Sequence, residues 1–95
     1  MKIVACLWLP AIIEKLIVKH QVQPEEVEEV FAWNPLFRRG PKGKRTREDV
    51  YYAYGQTEAG RYLFVVFIHK SNHRALILSA RDMSISEQRL YRKHI

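Results

Sequence analysis

The densest chemistry in this sequence is cationic. The stretch RRGPKGKRTRED, residues 38–49, carries six basic side chains in its first ten positions: Arg38, Arg39, Lys42, Lys44, Arg45 and Arg47. No acid appears until Glu48 and Asp49. Gly40, Pro41 and Gly43 make the segment a loop, and closely spaced cations on a loop suit the phosphates of a polyanion without reading its sequence. Tyr51, Tyr52 and Tyr54 follow and offer rings on which unpaired bases could stack, although strand tyrosines are more often packing residues. Two arginines stand apart from the run. Arg61 and Arg81 would each present a permanently charged, planar donor fork that matches phosphate oxygens. The competing assignment for both is a structural salt bridge, to Asp82, Glu87 or Glu58. His20 carries an imidazole that could give or take a proton; a histidine at a helix C-terminus also simply suits the dipole. Glu48 and Asp49 are candidate proton acceptors, or else the solvated start of a strand that offsets the basic run. His20, His69, His73 and His94 lack the spacing of metal ligands, so no metal and no cofactor is expected.

Whole-chain composition frames these groups. Sixteen Lys and Arg against ten Asp and Glu leave a formal charge of +6 in 95 residues. A basic domain of this size points to nucleic acid or an acidic protein as partner. Ninety-five residues make a single domain, 1–95, with a small core. The one cysteine, Cys6, sits among apolar neighbours and reads as a core hydrophobe. An internal disulfide is excluded, which fits a reducing compartment. The apolar run at residues 3–13 is interrupted by Pro10, ended by Glu14 and Lys15, and far shorter than the ~20 residues of a membrane span. No membrane association is expected.

The elements that must position these groups follow from periodicity. Residues 2–8 read as a strand. Pro10 opens a helix in which Ile13, Leu16, Ile17 and His20 recur at helical spacing. Pro24 opens a second helix, PEEVEEVFAW, with Val27, Val30 and Phe31 on its apolar face; Asn34-Pro35 ends it. Leu36-Phe37 reads as a short edge strand. Strands are then expected over 48–55, 61–69 and 73–80, separated by the turns QTEAG and KSN. In the middle one both alternating faces are apolar, so it lies centrally. Ser84-Ile85-Ser86-Glu87 is a capping box that opens a last helix to about His94. The class is α+β in the order β-α-α-β-β-β-α, with an antiparallel meander packed against helices.

The ordered set Trp8, Lys19-His20, PEEVEEVF, Gly60-Arg61, Ser79-Ala80-Arg81, Glu87 and Tyr91 resembles the BrnT family of type II toxins. That resemblance covers nearly the whole chain and implies a RelE-like fold. It implies a cytoplasmic ribonuclease neutralised by a cognate antitoxin, with operator DNA bound only through the antitoxin complex. Oligomeric state stays open, a homo-oligomer included. Some positions depart from the pattern. Leu9, Ile12 and Leu16 stand where the family usually has Asp, Lys and Asn. Asp49-Val50 stands where it often has Glu-Arg, and Leu76 where it has Arg.

A metal-free RNA cutter needs a base for the 2′-OH proton, cations for the phosphorane and an acid for the departing 5′-oxygen. On the resemblance, Arg61 and Arg81 supply the charge, and Glu48, Asp49 or His20 moves the proton. Lys19 and the run from Arg38 to Arg47 hold RNA. In an antiparallel pair the start of one strand lies near the end of the next, which would bring Arg61 and Arg81 to one edge. The alternative is a module of the same fold that binds RNA or antitoxin without cutting. Neutralising the six basic residues of 38–47 is expected to weaken RNA binding and flatten its salt dependence, read from affinities across a salt series. An unchanged salt slope would remove the run from the RNA-binding surface.

Overall fold

A computed structural model describes residues 1–40 and 49–95. Lys42, Lys44, Arg45, Arg47 and Glu48 lie outside the described residues. The elements are β1 (Ala5–Leu7), α1 (Pro10–His20), α2 (Pro24–Ala32), β2 (Leu36–Arg39), β3 (Val50–Gln56), β4 (Tyr62–Lys70), β5 (Arg74–Asp82) and α3 (Ile85–His94). The class is α+β in the expected order, with Leu36-Phe37 growing into β2. The five strands form one sheet in the order β1-β5-β4-β3-β2. Strands β2 to β5 run antiparallel, while β1 joins β5 in parallel, so the sheet is mixed. A parallel partner needs a long crossover, which the chain between β1 and β5 provides.

Each helix end has a local chemical reason. Pro10 and Pro24 occupy first-turn positions, where a missing N–H costs nothing. Gln21 ends α1 in the left-handed region, with its N–H on the Ile17 carbonyl and that of Val22 on Leu16. Gln23 and Glu26 cap α2 reciprocally, and Ser84 and Glu87 do the same for α3. Gly60, at φ +93°, takes the left-handed position of the β3–β4 turn. Asn72 and His73, at φ 61° and 57°, turn β4 into β5.

Helices α1 and α2 pack on one face of the sheet and α3 on the other. The main core is built from Leu16, Val22, Val27 and Val30 against Ala53, Leu63, Val65, Phe67, Ala75, Ile77 and Ala80, all fully buried. Phe31 of α2 meets Phe67 edge-on at 5.2 Å, with Phe37 beside both. The opposite face carries Tyr54, Phe64, Met83 and Tyr91, with Tyr52, Tyr62, Val66 and Leu90 packed around them.

Two strand boundaries differ from the sequence reading, and both matter. Arg38 and Arg39 lie within β2, opposite Tyr52 and Tyr51, rather than in the basic loop. The ladder continues because β2 is an edge strand, where a charged side chain keeps its solvent. Arg81 lies within β5, opposite Phe64, rather than past the strand's end. A bulge sits in β5: Val66 pairs with Ser79 but Phe67 with Ile77, leaving Leu78 without a counterpart.

Helix α2 approaches β3 over a bare backbone. A Cβ at Gly55 would fall 2.8 Å from Cγ1 of buried Val30. Valine in a helix is stiff at χ1 and has no way to swing aside. Gly55→Ala is therefore expected to lower stability by about 1–3 kcal/mol, measured by urea unfolding. A neutral substitution would mean that α2 is free to shift on the sheet.

Candidate functional site

On the face that α1 and α2 leave open, two rows of side chains run across the strands. One reads Leu36, Tyr54, Phe64, Arg81; the next reads Arg38, Tyr52, Val66, Ser79. Arg81 is the most constrained cation there. Its Nη1 and Nη2 donate to the two carboxylate oxygens of Glu87 at 2.8 and 2.9 Å. Nη1 also donates to the Asp82 carbonyl at 3.0 Å. The guanidinium lies 4.4 Å above the Phe64 ring. Its Nε–H and second Nη2–H have no acceptor among the described residues, and 42% of the side chain is exposed. The site is thus a clamped arginine with two donors unmet among the described residues.

The surrounding groups tune one another. Hydrogen bonds from Arg81 hold the Glu87 carboxyl below its ordinary value of 4.5, with those from Ser84 adding to the effect against the opposing pull of burial. The Arg81 guanidinium is in turn held more firmly protonated, chiefly by Glu87. Burial pushes the Tyr54 phenol up and the Glu87 charge adds to this, while Arg38 and Arg81 pull it down. Tyr54 therefore stays a neutral O–H donor between two arginines and a carboxylate. Arg38 is exposed and makes no hydrogen bond or ion pair among the described residues.

Arg61 is placed differently. Residues 61, 63, 65 and 67 point to the helix side, so Arg61 and Arg81 lie on opposite faces of the sheet instead of meeting at one edge. All five Arg61 N–H groups are occupied within the protein. Nε and Nη2 donate to Asp82 at 2.7 and 3.3 Å. Nη1 donates to Glu26 at 3.1 Å and to the Gln21 carbonyl at 2.8 Å, and Nη2 to the His20 carbonyl at 3.1 Å. One side chain thus ties the end of α1, the start of α2 and the end of β5. Of the three partners named from sequence, Asp82 takes Arg61 and Glu87 takes Arg81; Glu26 was not foreseen.

The remaining candidates are dispersed. His20 contributes its backbone carbonyl to Arg61, on the helix side. Lys19 is exposed in the last turn of α1, also away from the open face. Asp49 pairs with Arg39 in solvent. It lies five residues along β3 from Tyr54, roughly 17 Å from Arg81's row. From sequence Glu87 reads as a cap and salt-bridge partner and Tyr54 as a ring for stacking; neither is given a part beside Arg81. Strand alternation puts Tyr54 on a face with Tyr52, but nothing in the sequence says that this face is Arg81's. Among the described residues no group of three or more His, Cys, Asp or Glu is arranged to hold a metal ion. No helix among them is long and apolar enough to cross a membrane.

Because Arg61 joins two helices to the sheet, its loss strands two carboxylates and two helix-end carbonyls. Arg61→Ala is expected to cost about 2–3 kcal/mol in urea unfolding, and Arg61→Lys less, since it keeps the charge without the fork. Full stability of Arg61→Ala would show the clamp to be incidental.

Comparison with known proteins places this geometry in a context. A family described as "Ribonuclease toxin, BrnT, of type II toxin-antitoxin system" matches residues 8–87. The match takes in both helices on the core face, strands β2 to β5, and Glu87 at its last position. No match was found among curated proteins. With 8–87 of 95 residues covered, the chain belongs to the BrnT family of ribonuclease toxins of type II toxin–antitoxin systems.

Proposed function

We propose that this protein is a metal-independent endoribonuclease whose active site is the open sheet face around Arg81. The observation that carries the reading is the Arg81–Glu87 pair, a cation with two free donors directly beside an ionised carboxylate. Arg81 binds a non-bridging oxygen of the scissile phosphate and stabilises the phosphorane charge. Glu87 accepts the 2′-OH proton, and the oxygen attacks phosphorus. The P–O5′ bond breaks, and the Tyr54 O–H protonates the departing 5′-oxygen. The products are a 2′,3′-cyclic phosphate and a 5′-hydroxyl. Arg38, with the basic run, holds the flanking phosphates, while Arg39 shares the other face with Tyr51 and is taken by Asp49.

The other sequence candidates take supporting places in this proposal. Arg61 grips Asp82, whose carbonyl anchors Arg81, so it acts through position. Glu48 lies outside the described residues and takes no step in this proposal. Asp49 and His20 sit too far round the sheet to act at Arg81. The apolar replacements do not dismantle the site. Leu9 is the N-cap of α1, Ile12 and Leu16 lie on it, and Leu16 is core. Val50 and Leu76 share the open face's strand parity but lie at its far end. A cognate antitoxin is the partner that restrains this activity in the cytoplasm, and operator DNA is reached only through that complex.

Long single-stranded RNA incubated with the protein in EDTA tests the proposal. Wild type should cut it, and folded Arg81→Ala should lose about 10²–10³-fold in rate. Glu87→Gln isolates the proton transfer, because Gln still completes a capping box while losing the charge. Glu87's lowered value also sets the pH response. Its carboxylate is ionised from neutrality down past 4.5, so activity should persist there and fall only as pH drops through the depressed value. The stability from its ion pair is lost over the same range. Undiminished cleavage by Arg81→Ala, or cleavage only with added Mg²⁺, would overturn the reading.

A further inference from the structure

We infer that Tyr52 and Arg38 form a subsite for an unpaired nucleotide beside the phosphate held at Arg81, which makes single-stranded RNA the substrate class. The inference rests on the ribonuclease reading and extends it from the cleaved bond to the neighbouring base.

The three tyrosines of β3 have different fates. Tyr51 faces the helices, stacked on Phe67 at 6.0 Å. Tyr54 is 7% exposed, its ring packed against Phe64 at 5.1 Å. Tyr52 alone remains half-buried on the open face, between Arg38 of β2 and Val66 of β4. Its ring is propped by Phe64 at 5.0 Å, the same ring that carries the Arg81 guanidinium on its face. Arg81, Phe64 and Tyr52 therefore form one continuous contact line. Just past β2, a Cβ at Gly40 would come 3.1 Å from Val50 and 3.3 Å from the Tyr52 ring.

The flanking charges point to the occupant. Arg38 and Arg81 stand on β2 and β5, three interstrand spacings and one row apart, about 16 Å. Between them the open face presents aromatic and small apolar side chains. A base stacked on Tyr52 would place its own phosphates towards the two cations. Only an unpaired base can offer its face in this way, because in a duplex both faces are taken by neighbours in the stack. Stacking on tyrosine tolerates any base, so the subsite selects strandedness over sequence.

The test uses a short 2′-O-methyl RNA, which binds but cannot be cut, with affinity read by fluorescence anisotropy. Tyr52→Ala should weaken single-strand binding roughly 5- to 150-fold, and Tyr52→Phe should hold it within about twofold. Tyr52→Val keeps a strand-favouring residue and stands in should the Ala variant not fold. Inorganic polyphosphate, which has no bases, should bind Tyr52→Ala as well as wild type and Arg38→Gln less well. The wild type should prefer the single strand to its duplex. Equal single-strand affinity in wild type and Tyr52→Ala overturns the subsite, as does a defect confined to binding of the cognate antitoxin. Because the probe is uncleavable, the two readings fail separately. Tyr52-dependent binding without cleavage of ordinary RNA sinks the ribonuclease reading and keeps the subsite. Cleavage with Tyr52-independent binding does the reverse.

Discussion

Leu78 has no partner across the β4–β5 ladder, and the open face depends on that irregularity. Before it, Ala75 and Ile77 are the residues of β5 that enter the main core; after it, Ala80 is. The extra residue reverses the parity of the strand. In an unbroken strand the odd-numbered set would have continued inward, carrying Arg81 under the helices with Ile77. Burying that guanidinium beneath α1 would demand a paired counter-charge. The bulge removes the conflict: it keeps small Ala80 in the core and turns Ser79 and Arg81 outward. Bulges beside sites that re-aim one side chain are a recurring use of this irregularity.

Asp82 then inherits the opposite orientation and points to the helix side, where Arg61 takes its carboxylate. The two arginines thus share one residue from two faces. Arg61 holds the Asp82 side chain, and Arg81 donates to the Asp82 carbonyl. The end of β5 is fixed from both sides by charge-assisted hydrogen bonds, which are stronger and more directional than neutral ones. Through Arg61 that fixation reaches the final carbonyls of α1 and Glu26 at the start of α2. The helices that bury the core and the arginine on the far face are therefore parts of one connected network.

Glu87 shows how a local device can acquire a second use. Its spacing from Ser84 makes it half of a capping box, and it occupies that place. The cap orients the carboxylate at the N-terminus of α3, over the open face, where it also receives the Arg81 fork. A residue with a sufficient local explanation is easily set aside as structural. Arg61 is the mirror case. Its permanent charge and planar donor fork suggested phosphate, yet every donor is met within the protein.

Local chemistry in the sequence was enough to place the prolines that open two helices, the Ser84–Glu87 cap, the central strand apolar on both faces, and the meander with its two turns. Each rests on contacts within a few residues, and such contacts are written in spacing. The ordered residues from Trp8 to Tyr91 likewise carried the family. Which groups share a site was decided elsewhere. The parallel pairing of β1 with β5, the parity reversal at Leu78, the opposite faces of Arg61 and Arg81, and the remoteness of Asp49 and His20 from Arg81 all depend on long-range register. Register is set by how whole strands and helices satisfy the core together, and no stretch of this chain encodes it alone.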